Sequence, residues 1–112
     1  MSKPLDVVVL EKARTYVANP KTWCKWSEAR TKGGRKVDPW DDRAVRFCAG
    51  GAVGRAAYEL TGSVEIAVQR MLDLDRAAWG ARKTCIANIN DGKGGRPAVL
   101  EVLDELISKH KE

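Results

Sequence analysis

The segment Phe47-Cys48-Ala49-Gly50-Gly51-Ala52-Val53-Gly54-Arg55-Ala56-Ala57 places a thiol, three glycines and an arginine within eleven residues, and its reading decides the fold. A phosphate loop requires Gly-x-x-x-x-Gly-Lys-Ser/Thr, and a dinucleotide fingerprint requires Gly-x-Gly-x-x-Gly after a strand. Gly50, Gly51 and Gly54 supply neither spacing. The apolar positions around them, Ala44, Val45, Cys48, Ala49, Ala52, Val53, Ala56, Ala57 and Leu60, instead recur with helical period. Glycine inside a helix costs up to about 1 kcal/mol relative to alanine, so the run predicts close approach of another helix that offsets this. Asp38-Pro39-Trp40-Asp41 offers the helix a capping carboxylate and a first-turn proline, and Asp41 is an equally compatible start. Gly62 supplies the stop.

This assignment bears on chemistry. A nucleophilic cysteine needs a base and a lowered pKa. Cys48 would lie two or more turns inside its helix, past the strongest dipole effect, and the sole histidine, His110, is the third-last residue. A buried thiol acting as a small hydrophobe is the favoured reading.

Upstream, Val9, Ala13, Tyr16 and Val17 set one stripe on a helix over Leu5–Ala18, with Pro4 in its first turn and Asn19-Pro20 ending it. Gly33-Gly34 then predicts a two-residue hairpin turn between strands near Thr22–Arg30 and Arg35–Val37. An extended first strand would put Cys24, Trp26 and Glu28 on one side and Trp23, Lys25 and Ser27 on the other. One of its tryptophans is expected to pack on the helices and the other to lie at the surface.

Downstream, Ser63 caps a third helix with Val64, Ala67, Val68, Met71, Leu72, Ala78 and Trp79 on one side, ending at Gly80. A short helix over residues 83–90 buries Cys85, Ile86 and Ile89, and a loop follows from Asp91 to Arg96. Pro97 opens the last helix, with Val99, Leu100, Val102, Leu103, Leu106 and Ile107 as its core face. The expected fold is mainly α, a single domain over 1–112, with four to five helices and one β-hairpin (about 22–37) after the first.

A chain of 112 residues, 44% hydrophobic and 31% charged, can bury about two-thirds of its unfolded surface without staples. Cys24, Cys48 and Cys85 are odd in number and match neither a disulfide framework nor a zinc motif. Asn88, Asn90 and Asp91 do not meet the EF-hand spacing, because Lys93 and Val99 fall where glycine and glutamate are needed. No metal or cofactor is expected. The apolar run Val7–Leu10 is too short for a membrane span or a signal peptide, so a cytoplasmic protein without a membrane partner is expected.

The net charge of +5 is concentrated in residues 1–40, which hold nine Lys/Arg against four Asp/Glu. Lys21, Lys25, Arg30, Lys32, Arg35 and Lys36 supply most of it, with Trp23 and Trp26 among them.

Trp23, Asp38-Pro39, Phe47-Cys48-Ala49-Gly50-Gly51-Ala52, Asn90-Asp91, and Val99-Leu100 through Leu103-Asp104 occur in an order that resembles a family of short uncharacterised bacterial and phage proteins, a domain of unknown function. The resemblance runs from Leu10 to Ile107. Its pattern has an aromatic residue directly before both the Cys and the Asn-Asp; Phe47 matches and Ile89 departs. The resemblance implies a compact helical domain and no established activity. It marks Cys48, Asn90 and Asp91 as candidates for a shared pocket.

Three functions are open to such a chain. The leading expectation is a non-enzymatic binding or accessory domain for a protein or small ligand. The alternative is nucleic-acid binding through the hairpin, with Lys21, Lys25, Arg30, Lys32, Arg35 and Lys36 on phosphates and Trp23 or Trp26 stacked on a base. The third is an enzyme using Cys48 with Asp91.

Overall fold

The computed structural model describes residues 6–111. The expected roles of Pro4 and Leu5 lie outside these residues. The chain is mainly helical: α1 (Val7–Ala18), β1 (Ala29–Arg30), β2 (Lys36–Val37), β3 (Arg46–Phe47), α2 (Ala49–Thr61), α3 (Val64–Arg82), α4 (Ile86–Asp91) and α5 (Gly95–Lys111).

The helix ends follow capping chemistry. Asp6 accepts the Val9 amide and Ser63 accepts that of Ile66, each filling one donor left open by the first turn. Gly62, at φ 72°, ends α2 in the left-handed conformation, its N–H bonded to the Tyr58 carbonyl. Several boundaries differ from the sequence reading; α4, expected over 83–90, runs from Ile86 to Asp91 with Cys85 at its cap. Helix α3 passes through Gly80 to Arg82 and stops at Lys83, itself left-handed at φ 59°. Helix α5 opens at Gly95, leaving Pro97 within its first turn.

The hairpin is shorter than expected and belongs to a three-stranded antiparallel sheet of order β2-β1-β3. Its turn is not a two-residue Gly33-Gly34 turn. The Gly34 amide bonds the Thr31 carbonyl and the Thr31 amide bonds the Arg35 carbonyl, leaving Lys32, Gly33 and Gly34 as the loop, with only Gly34 at positive φ. That is a three-residue hairpin loop closed by a left-handed glycine. Residues 23–28 are not a continuous strand either. Cys24 is buried and Trp26 is 67% exposed, so the alternation of an extended chain fails there. Trp23 packs on the core and Trp26 lies at the surface.

The largest correction concerns residues 38–48, which form two turns and a strand rather than the start of α2. The Asp38 carbonyl accepts from the Asp41 amide and the Asp41 carbonyl from the Ala44 amide. The Asp41 carboxylate accepts the Arg43 amide at 2.8 Å, an Asx turn that competes with helix. Arg46–Phe47 then pairs with β1, which requires extended backbone. Cys48 is therefore the residue that caps α2.

Helix α2 lies at the centre of the fold, its first six residues all buried. A Cβ on Gly51 would stand 1.7 Å from the Glu28 carbonyl oxygen, so this glycine admits a loop backbone rather than a helix. Gly54 serves the expected purpose, with Met71 of α3 and Pro39 against it. The core unites Leu10, Ala13 and Val17 of α1, Val53, Ala56 and Ala57 of α2, Leu74 of α3, and Val99, Val102 and Leu103 of α5. Of the apolar side assigned to α3, only Ala67 and Ala78 are buried, joined there by Leu74, while Val64, Val68, Leu72 and Trp79 are exposed.

Candidate functional site

The sheet has two faces of opposite character. Its register sets Val37, Ala29 and Phe47 opposite one another, an apolar row that packs on the helices. The next row is Lys36, Arg30 and Arg46, three cations in direct register across the three strands. Like charges directly opposite on adjacent strands are unfavourable. The Arg30 guanidinium donates to the carbonyls of Gly34 at 2.9 Å and Lys25 at 3.3 Å, which fixes it and ties the hairpin loop to residues 23–28.

Beside this row opens a cleft of about 680 Å³ whose lining includes Lys21, Trp23, Lys25, Trp26, Arg30 and Arg46, with no carboxylate. The Lys25 ammonium lies 5.9 Å from the centre of the Trp23 ring. Trp26 adopts φ 68°, a left-handed conformation rarely taken by a bulky residue.

What holds the Trp23 indole is Asn90, the one fully buried polar residue among those described. Its Oδ1 accepts the Trp23 indole N–H at 2.8 Å and the Ala49 amide at 3.0 Å. Its Nδ2 donates to the Cys24 carbonyl and to Asp91 Oδ1, both at 3.0 Å. All four hydrogen-bonding positions of the amide are used, and they join α4, the start of α2 and the tryptophan loop. Asp91 Oδ1 also accepts the Trp26 amide at 3.0 Å, which holds that residue in its left-handed backbone.

Cys48 and Asp91 line a second cleft of about 300 Å³ with Trp26, Ser27, Glu28 and Ala87; Asn90 is not part of its lining. At the start of α2 the Cys48 sulfur accepts the Gly51 amide at 3.3 Å. Burial nevertheless pushes the Cys48 thiol up to about 11, outweighing the Gly51 and Gly50 amides that act in the opposite direction. At neutral pH the group is a thiol and a poor nucleophile. Glu28 is also raised, by burial first and then by Asp38.

The sequence candidates thus divide among several places. Lys21, Trp23, Lys25, Trp26 and Arg30 converge on the basic cleft. Lys32 and Arg35 are exposed at the hairpin loop. Lys36 lies in a mixed-charge depression with Glu28, Asp38, Asp41 and Arg43. Arg46 was missed because a helix over residues 41–60 takes it away from the hairpin. Its signal was the alternation Val45-Arg46-Phe47 before the capping-competent Cys48, which also fits a short strand.

No helix among the described residues is long and apolar enough to cross a membrane. A family model, described as a family of unknown function (DUF6197), matches residues 1–109. Neither curated proteins nor solved structures give a significant match.

Proposed function

The chain belongs to DUF6197, a family of unknown function, and we propose that it is a non-enzymatic binding domain whose ligand is single-stranded nucleic acid. The observation that carries this reading is the Arg30–Arg46 pair, in direct register across two strands, which with Lys21 and Lys25 lines a carboxylate-free cleft that holds two indoles. Phosphates placed there neutralise a repulsion that the free protein bears. Trp26 supplies the second element. Keeping a bulky residue at positive φ costs on the order of 1–3 kcal/mol, and its exposed ring returns little of that to folding. An unstacked base covers such a ring, and base stacking contributes about 1–3 kcal/mol. A duplex offers phosphates but no free base face, so single strands suit this cleft better. Recognition through phosphates and a π-face carries little sequence preference.

The test is fluorescence anisotropy of short labelled single strands across a salt series. Saturable binding is expected, with a log–log salt slope of about −2, as for three phosphates on a single strand. Arg46→Gln and Trp26→Gly should each lower affinity by about tenfold, while Lys32→Gln with Arg35→Gln should change it little. Absence of saturable binding at low salt, or indifference to both cleft variants, would refute the reading.

A further inference from the structure

Helix α3 carries an apolar stripe that none of the described residues covers: Val64, Val68, Leu72 and Trp79 are 41, 42, 50 and 53% exposed. At helical spacing these four fall within a sector of about 80°, next to the buried Ala67, Leu74 and Ala78. Asp75 and Arg82 share the sector, but the Asp75 carboxylate is engaged by the Ile86 amide and the Arg82 guanidinium by Glu105, each at 2.8 Å. The stripe exposes on the order of 350 Å² of apolar surface, in the range of the largest patch a single chain usually leaves to water.

Charge placement along the stripe selects its occupant. Glu65 and Arg76 lie on the same flank, about 20° apart around the helix axis, one toward each end. Arg76 has a distant contact with Asp73, at 3.8 Å, and its side chain is 77% exposed. When two helices pack antiparallel, equivalent flanks meet; when they pack parallel, opposite flanks meet. An antiparallel pair therefore sets Glu65 of one copy against the partner's Arg76, twice. The register that does so also sets Val68 beside the partner's Leu72 and Val64 beside the partner's Trp79. A parallel pair would turn the charged flank toward the side of α3 that faces its own core.

We propose that a second copy of this chain covers the stripe, forming a two-fold symmetric dimer through antiparallel α3 helices with the axis between Val68 and Leu72. Two stripes with their flanking side chains bury about 1,000–1,200 Å², the lower end for a specific interface, which fits a micromolar dimer. The proposal stands apart from the basic cleft and does not depend on what binds there.

Sedimentation equilibrium over a wide concentration range tests it. The unaltered chain should pass from monomer to dimer. Leu72→Glu should abolish the dimer while leaving the circular dichroism spectrum and melting temperature unchanged, because Leu72 is half exposed. Glu65→Arg should weaken dimerisation about tenfold, and Glu65→Arg combined with Arg76→Glu should restore it. A chain that stays monomeric at the highest concentration overturns the proposal, as does a dimer that tolerates Leu72→Glu. Failure of the double reversal to restore pairing overturns it as well.

Discussion

Asn90 Oδ1 accepts the indole N–H of Trp23 at 2.8 Å, across 67 positions of sequence. The same oxygen holds the first amide of α2, so one buried side chain fixes both the tryptophan loop and the start of the central helix. Asn90→Ala would leave the Trp23 indole, the Ala49 amide and the Cys24 carbonyl without that partner. Each buried unsatisfied group costs about 1–3 kcal/mol. A loss of about 3 kcal/mol or more is expected in urea unfolding, with Trp23 fluorescence shifted to the red. Stability within 1 kcal/mol of the unaltered protein would refute the assignment.

The glycines should respond to alanine in opposite directions. Gly51→Ala places a methyl 1.7 Å from the Glu28 carbonyl oxygen, a clash with backbone on both sides, and the variant should fail to fold. Gly80 sits inside α3 with nothing within 4 Å of a new Cβ. Gly80→Ala should stabilise by about 0.5–1 kcal/mol, the ordinary helical preference. Thermal melts of the two variants decide the point.

Arg46→Glu separates folding from binding. A glutamate opposite Arg30 replaces a repulsive cross-strand pair with an attractive one, so stability should rise by about 0.2–1 kcal/mol. Affinity for single strands should meanwhile fall by more than for Arg46→Gln. A variant that loses both stability and binding would show that Arg46 has a structural role instead.

Raised acid groups make the fold sensitive to alkali. Cys48 is pushed up to about 11 by burial, and Tyr16 to about 12 by burial and then by its hydrogen bond to Glu59. Each pKa is higher folded than unfolded, so the folded state holds these protons more tightly. Their stabilisation is complete below pH 9 and is lost as the pH rises through 11 and 12. Urea midpoints should fall over that window and stay flat from pH 7 to 8.5. Alkylation of Cys48 should be slow at neutral pH and accelerate up to about pH 11. Rapid labelling at pH 7 would return Cys48 to candidacy as a nucleophile.

The sequence by itself determined which stretches become helices, and the junction where α2 stops and α3 starts. Apolar period, the Ser63 cap and the Gly62 stop are local signals, and local energetics act on them directly. It also located the basic segment and the division of its two tryptophans into one packed on the core and one at the surface. Three decisions belonged to tertiary structure. Residues 44–48 have helical period, yet Arg46–Phe47 became a strand because β1 offered hydrogen bonds that only extended backbone can meet. That pairing moved Cys48 to a helix cap and brought Arg46 into the cleft. Asn90 reads as a loop residue at the end of a short helix, and only the convergence of α2, α4 and residues 23–24 gives its amide four partners in the interior. The apolar residues of α3 satisfy one helical period, but which of them are buried depends on where α2 and α5 lie against it. Local sequence specifies backbone preference and amphipathic pattern; pairing across long separations specifies which polar groups find partners and which apolar faces are left for another molecule.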